Sequence, residues 1–370
     1  MKVILVRSRA IDPSIQKYAE SLAHAGFDVT LLLWDRKNQI PSGNSKNYAI
    51  HCFKLDAPYD SLSVILYHPL WMMYEFIFLI KNSADVIHAC DLDTLYPAIL
   101  AKFIKKSYLC YTIFDFYSEN LPSIVPDLLK KIIAYLEKAG IQFTDVLFLV
   151  DEARIPQIKG AKIKKIEYIY NTPQEKVNSG KIPELNKKND EVIIFYAGSL
   201  DSERVRSIKM IIEAVRDIKD IKLIVAGTGQ DQNIIEKIAA NPGNNIEYLG
   251  WISYEEVISF TYKSDILFAF YDPSLPNNRL ASPNKLFEAM MCSKPIIVNN
   301  CTSMADIVSD EKNGFVVPYG DIAQIKEAII NLINDPSLRE KLGENGRKAY
   351  VQKYSWKIME KRLVTAYKNL

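Results

Sequence analysis

The stretch ASPNKLFEAMMCSKPIIV, residues 281–298, gathers side chains able to do chemistry at the start of one helix. Leu286, Phe287, Met290 and Met291 recur at helical spacing before Lys294-Pro295 ends the pattern and Ile296-Ile297-Val298 begins a buried strand. Ser282 is expected as the N-cap and Pro283 as the first helical residue. At about 100° per residue, Asn284, Lys285 and Glu288 share one arc, turned away from the apolar one. Unpaired amides, the positive end of the helix dipole and a lysine then converge on one spot, which suits an anion such as a phosphate.

Other features join it at predicted strand ends. AGS at 197–199 supplies Gly198 and Ser199, GTG at 227–229 supplies Gly227 and Gly229, and Arg204 and Arg206 follow the first of these turns. Glycines let a ligand approach the backbone, and arginines with Lys285 carry charge suited to a diphosphate. Singly, these are a turn, a solvated helix start and a surface residue. Together they point to a nucleotide-diphosphate pocket.

The elements that must hold them follow from periodicity. A chain of 370 residues is too long for one ordinary core. Its first half alternates apolar runs (3–6, 29–34, 85–89, 108–114, 146–150, 166–170) with helical patterns near 13–26, 93–105 and 127–143. The second half restarts at 192–200 and continues through runs at 222–227, 246–251, 266–271, 296–298 and 314–318, with helices near 204–217, 231–240, 254–262, 321–334, 336–350 and 354–369. This alternation predicts an α/β protein of two doubly wound, Rossmann-like domains, 1–172 and 191–351, joined by a polar linker at 173–190. In such sheets ligands bind at the carboxyl ends of the strands, here in a facing cleft.

Composition narrows the partners. A net charge of +2 is too balanced for a dedicated nucleic-acid binder. Five cysteines without a CxxC pair suggest neither disulfides nor a zinc site, and hence a reducing cytoplasm. The opening MKVILVRSRA is a first strand rather than a signal peptide, because Arg7 and Arg9 interrupt it. Residues 62–80, LSVILYHPLWMMYEFIFLI, contain His68, Pro69 and Glu75 and are read as a buried or membrane-facing helix rather than a spanning one. With lysines 102, 105, 106, 130 and 131, that segment suggests contact with the inner face of an anionic membrane.

The order of these segments resembles the family-4 retaining glycosyltransferases of the GT-B fold. IDPSIQKYAESLAHAGFDVTLLLW (11–34), DVIHACDLDTLYPAILAK (85–102), YAGSLDSERVRSIKMIIEA, LIVAGTGQD, IEYLGW and SPNKLFEAMMCSKPIIV run in the family's order, and GRKAYVQKYSWKIMEKRL resembles its closing helices. The resemblance implies that a helix at about 352–370 crosses back to complete the N-terminal domain. It implies a nucleotide sugar as co-substrate, UDP- ahead of GDP-linked, bound mainly by the C-terminal domain, and a glycan or lipid-linked acceptor bound mainly by the N-terminal one. Transfer would need no metal and no cofactor, and the product would be a surface polysaccharide or glycoconjugate. Arg206 aligns with the family's phosphate-binding lysine, with Arg204 one register away as competitor. Glu288 aligns with a ribose-binding glutamate. The donor site is expected over Gly198, Ser199, Arg204, Gly227, Gly229, Ile252, Ser282, Pro283, Asn284 and Leu286, with Arg206, Lys285, Glu288 and Asp115 as catalytic residues.

The sequence also departs from the family. Leu280 stands where it has a first motif glutamate, so Asn277, Asn278 and the amides near 282–285 are expected to take over its hydrogen bonds. Phe114 replaces a strand-end histidine, and Ser199 replaces an arginine. Asp115, next to Phe114, either handles the acceptor hydroxyl or caps a helix. The letters DLD at 91–93 are read as a helix cap rather than a metal motif. Two alternatives stay open: a catalytically inactive partner or scaffold, and a nucleotide-sugar epimerase on the same fold.

Overall fold

The computed structural model describes residues 1–10, 12–37, 43–44, 47–58, 62–121, 124–175, 191–241 and 243–370. Most of the expected linker, residues 176–190, lies outside the described residues. The chain divides into two compact units, Met1–Tyr170 with Lys357–Leu370, and Asn171–Trp356.

The first unit is built on an eight-stranded sheet. Its order is Gly43–Asn44, Ala49–Lys54, Asp28–Asp35, Lys2–Arg7, Val86–Cys90, Tyr108–Ile113, Val146–Leu149, Ile166–Tyr168. All neighbours run parallel except the first pair. The central strands are continuous apolar runs because helices cover both faces of a parallel sheet. Val3, for example, lies between Val29 and Val86. The short outer pair Gly43–Asn44 and Ala49–Lys54 was not expected from the sequence. Residues 49–54 are half-buried or exposed and include His51 and Lys54, so they lack the buried apolar run that marks the central strands.

Residues 62–80 are not one helix. A 3₁₀ turn, Leu62–Leu66, precedes the helix His68–Lys81, and Pro69 sits in the first turn of that helix, where its missing N–H costs nothing. Trp71 and Leu79 enter the core, while Glu75 between them is fully buried. Neither Glu75 oxygen has a hydrogen-bond partner among the described residues, and burial beside Asp93 pushes its carboxyl well above the usual range.

The helix Trp356–Lys368 belongs mostly to the first unit. Its Tyr367 hydroxyl bonds His88 Nδ1 in the middle of the sheet, and Thr112 Oγ1 lies 2.6 Å from His88 Nε2. Burial pushes the His88 imidazole down to about 3. The ring is therefore neutral in the fold, but in the unfolded chain it takes a proton near its ordinary value of about 6.5. Below that pH the unfolded state binds more protons, so this contribution to stability is complete above about pH 6.5 and is lost as pH falls toward the folded value. Denaturant titrations should show it. Wild type loses about 2 kcal/mol more than His88→Leu between pH 7.5 and pH 5.

The second unit holds a six-stranded, all-parallel sheet. Its order is Ile246–Tyr248, Ile221–Ala226, Val192–Ala197, Ile266–Ala269, Ile296–Asn299, Gly314–Val317. The crossovers reverse direction between Val192–Ala197 and Ile266–Ala269, the switch point at which such sheets open a binding crevice. Two helices were not anticipated: Pro276–Arg279, and Ser303–Glu311, which Thr302 caps through its hydroxyl.

Candidate functional site

The strand ends of the second sheet are closed by two interlocked glycine turns. Gly198 N–H donates to Ala226 O (3.0 Å), Gly227 N–H to Gly250 O (2.7 Å) and Leu200 N–H to Thr228 O (3.0 Å). Gly227 has φ +133°, and a Cβ placed there would stand 1.8 Å from the Gly198 carbonyl oxygen. Only glycine fits. Gly229 likewise packs on the backbone of Leu200, and Ser199 bonds Asp201 through its hydroxyl.

Above these turns opens a cavity of about 440 Å³. Its walls are Ala197, Gly198, Ser199, Ala226, Gly227 and Thr228 from the turns, Trp251 and Ile252 from the loop after Ile246–Tyr248, Tyr254 and Val257 from the next helix, and Asn284, Lys285 and Glu288 from the helix Asn284–Met291. The predicted trio thus meets Gly198, Ser199, Gly227 and Ile252, whereas Gly229, Ser282, Pro283 and Leu286, also expected at the donor, are not in the lining. Lys285 Nζ lies 4.7 Å from the Tyr196 ring centroid, beside Gly198. Burial, with the charge of Arg204 nearby, pulls its ammonium down to about 8. Glu288 is buried and shares a hydrogen bond with Tyr254.

The helix start differs from expectation by one residue. Pro283, extended at φ −76°, ψ 145°, is the N-cap and offers no side-chain hydrogen bond, and the first helical residue is Asn284. Ser282 therefore sits outside the helix, buried, and its hydroxyl has no partner among the described residues; the same holds for Asn284 Oδ1. The Leu286 amide, expected to face an anion, already donates to Pro283 O at 3.2 Å, and its side chain is in the core.

The two arginines part company. The helix Ser202–Val215 starts under an Asp201 cap, and Arg204 packs its guanidinium 3.7 Å from the centre of the Tyr271 ring, ion-paired to Glu203 (3.0 Å). Arg206, a turn fraction further round, is 59% exposed and pairs with Asp272 at 3.1 Å, and neither arginine lines the cavity. Arg204 is the arginine whose charge reaches Lys285. Asn278, a proposed stand-in for the missing glutamate, is committed to Glu203 (2.7 Å) and to the Asp272 carbonyl (3.0 Å). Leu280 is half-buried and leaves no carboxylate in its place.

Sequence reasoning missed Trp251, 74% exposed at the rim, and Tyr254, Thr228 and Val257. A signal existed for Tyr254, since Ser253 and Glu256 form a capping box that announces its helix. A larger open hollow of about 610 Å³, lined by Lys222, Glu236 and Glu247 among others, borders the opposite, amino end of the same sheet. There Lys222 is already paired to Glu247.

In the first unit Asp115 receives an ion pair from Arg154 (3.2 Å). Asp91 occupies the N-cap position of the helix Leu92–Lys105 but makes no side-chain cap, which corrects that reading of DLD. Its carboxylate instead accepts from the Phe114 amide (2.9 Å) and pairs with Arg7, which also stacks on the Phe114 ring at 4.5 Å. Phe114, in the place of a histidine, is thereby buried under a cation.

Residues 179–349 match the family model described as Glycosyl transferases group 1. The capsular polysaccharide biosynthesis glycosyltransferase CapM of Staphylococcus aureus is 32% identical over 189 residues, 48% of this chain and 46% of that protein. This chain spans about half the length of the first curated relatives it matches. Among solved structures, a sucrose-phosphate synthase from Thermosynechococcus elongatus superposes with a TM-score of 0.79 at 18% identity, covering 100% of this chain and 98% of its own. Anabaena HepE in complex with UDP gives 0.73 at 14% identity over the whole of both chains. These likenesses show the fold: two parallel-sheet, Rossmann-like units of the kind found in GT-B glycosyltransferases.

Proposed function

We propose that this chain, with its glycosyl transferases group 1 domain at 179–349, moves a sugar from a nucleotide diphosphate to a glycan or lipid-linked acceptor with retention of anomeric configuration. The observation that carries the reading is the Lys285 ammonium, half-buried beside the Gly198 turn in a cavity at the sheet's carboxyl end, with the Ser282 hydroxyl and Asn284 Oδ1 unpartnered among the described residues at the same helix start. Negative charge builds on the departing diphosphate while the sugar takes on oxocarbenium character. Fixed donors around that charge lower the barrier. Lys285 and Arg204 supply the positive charge, so the reading assigns that role to side chains and calls on no metal. The turns at 197–199 and 227–229, bare of side chains at Gly198 and Gly227, leave the phosphates room against the backbone. Glu288, steadied by Tyr254, accepts from the ribose hydroxyls, and Trp251 with Ile252 receives the base. Uridine is favoured over guanosine, in keeping with the UDP held by the HepE structure. The acceptor is assigned to the first unit, with Asp115 orienting its hydroxyl, and the product to surface polysaccharide or glycoconjugate synthesis on the cytoplasmic side.

The test is release of nucleoside diphosphate from a panel of uridine and guanosine sugars, with and without extracted membrane lipids. One donor should be cleaved faster when lipid is present, and Glu288→Ala should reduce that release by about 100-fold. A specific observation supports a second reading, a donor-binding scaffold: Leu280 leaves the sugar without the family's carboxylate, and Asn278 is already engaged. Calorimetric donor binding with neither transfer nor hydrolysis would select it, and donor conversion without any acceptor would select an epimerase.

A further inference from the structure

We propose that the first unit docks on an anionic bilayer through the layer formed by the helices His68–Lys81, Leu92–Lys105 and Asp127–Ile141. The three pack in sequence on one side of the sheet. Their inner residues, Trp71, Leu79, Leu95, Ala98 and Ile141 among them, fill the core. Their outer residues are apolar as well, which core packing does not explain. Met73 and Ile77 lie one turn apart on the first helix, Phe103 (60% exposed) and Ile104 end the second, and Leu128 (72%) and Tyr135 (71%) lie two turns apart on the third. So many exposed apolar side chains on three adjoining helices mark a contact with something other than water.

Charge decides what covers it. Lys105, Lys106 and Lys131 are exposed and Lys130 half-buried among these residues. Of the carboxylates on the three helices, Glu75 and Glu137 are buried, Asp93 is half-buried, and Asp127 alone is exposed. A second copy meeting the face about a two-fold axis would set the same lysines near one another, with Asp127 the one exposed carboxylate of these helices to receive them. An anionic bilayer offers an apolar sink for the side chains and negative headgroups for the lysines that fringe them. None of the helices among the described residues is long and apolar enough to cross a membrane, so the contact is with the surface. Lysine stems lying along the apolar layer would carry their ammonium groups up to the phosphates.

The docking stands apart from the sugar transfer, and its test reads it separately. The full chain is sedimented with vesicles of phosphatidylglycerol and phosphatidylcholine, and with pure phosphatidylcholine, at about 0.1 and 0.5 M salt. Binding is expected to the anionic vesicles only, weaker at high salt. It should fall about tenfold or more in Lys130→Glu/Lys131→Glu and in Phe103→Ser/Ile104→Ser. Circular dichroism and thermal melts establish that each variant folds, and the lysine pair, being on the surface, keeps the test open if the apolar pair does not. No binding at low salt, equal binding to both vesicle types, or unchanged binding by a folded lysine variant would each overturn the proposal. So would a concentration-dependent dimer that Phe103→Ser/Ile104→Ser abolishes. Release of diphosphate from the donor that continues with water-soluble acceptors while vesicle binding is absent would sink the docking alone. Vesicle binding without release would leave it standing and remove the transfer reading.

Discussion

Lys285→Ala lowers donor cleavage by about two to three orders of magnitude, whereas Arg206→Ala changes it less than about threefold. The contrast follows from burial. The Lys285 ammonium is half-buried in the cavity wall beside the Gly198 turn, where a cation interacts more strongly with a developing phosphate charge than it would in open water, while the Arg206 guanidinium is mostly in water and already answered by Asp272. Arg204→Ala belongs with the lysine, because its guanidinium is held against Tyr271 close enough to depress the Lys285 ammonium. That depression, to about 8, gives a pH signature. Below it Lys285 is charged and attracts diphosphate, and as pH rises through it the charge is lost, so donor affinity weakens between pH 7 and pH 9. The weakening should disappear in Lys285→Ala. Single-turnover cleavage and calorimetry across that range read both effects. If Arg206→Ala were the more damaging change, the diphosphate would lie nearer the helix Ser202–Val215 than the helix Asn284–Met291.

Gly227→Ala should cost the site its donor altogether, with affinity down more than about 100-fold and a loss of stability of about 1–3 kcal/mol. The added Cβ has two faults: φ +133° is strained for any L side chain, and the Gly198 carbonyl stands 1.8 Å away. Backbone cannot swing aside like a side-chain tip. The turn at 197–199 must move, carrying with it the cavity wall at Gly198 and the surface on which Lys285 rests. Gly243→Ala is the matched control, since a Cβ there meets only the Asn241 side chain, at 3.5 Å. Donor calorimetry and thermal unfolding on both variants separate a local effect from a global one. Equal behaviour of the two would show that the glycine turns do not shape the pocket.

Much of this architecture was legible because parallel strands buried on both faces read as unbroken apolar runs, as 3–6, 192–197 and 223–226 do. The edge strand Ala49–Lys54 was not, having no such run. Within the site, the glycines and Lys285 could be read from residue type alone. The choice between Arg204 and Arg206 could not, since it depends on which face of the helix Ser202–Val215 meets Tyr271, an aromatic far along the chain. Ser282 looked like a cap because serine before proline usually is one. The chain instead makes its turn at Pro283, leaving the hydroxyl to other use. Trp251 gave no signal, because a single exposed aromatic after a strand has no period to recognise.

The bond from Tyr367 to His88 joins residues 279 positions apart. During synthesis the sheet strand Val86–Cys90 leaves the ribosome long before its partner exists. At about 5–20 residues per second, the interval is roughly 15–60 s. Within it the whole of residues 171–356 is made, while the earlier unit still lacks the phenol and its helix. The unit that opens the chain is thus the last to be completed, its sheet strand meeting Tyr367 only after the second unit has been synthesised.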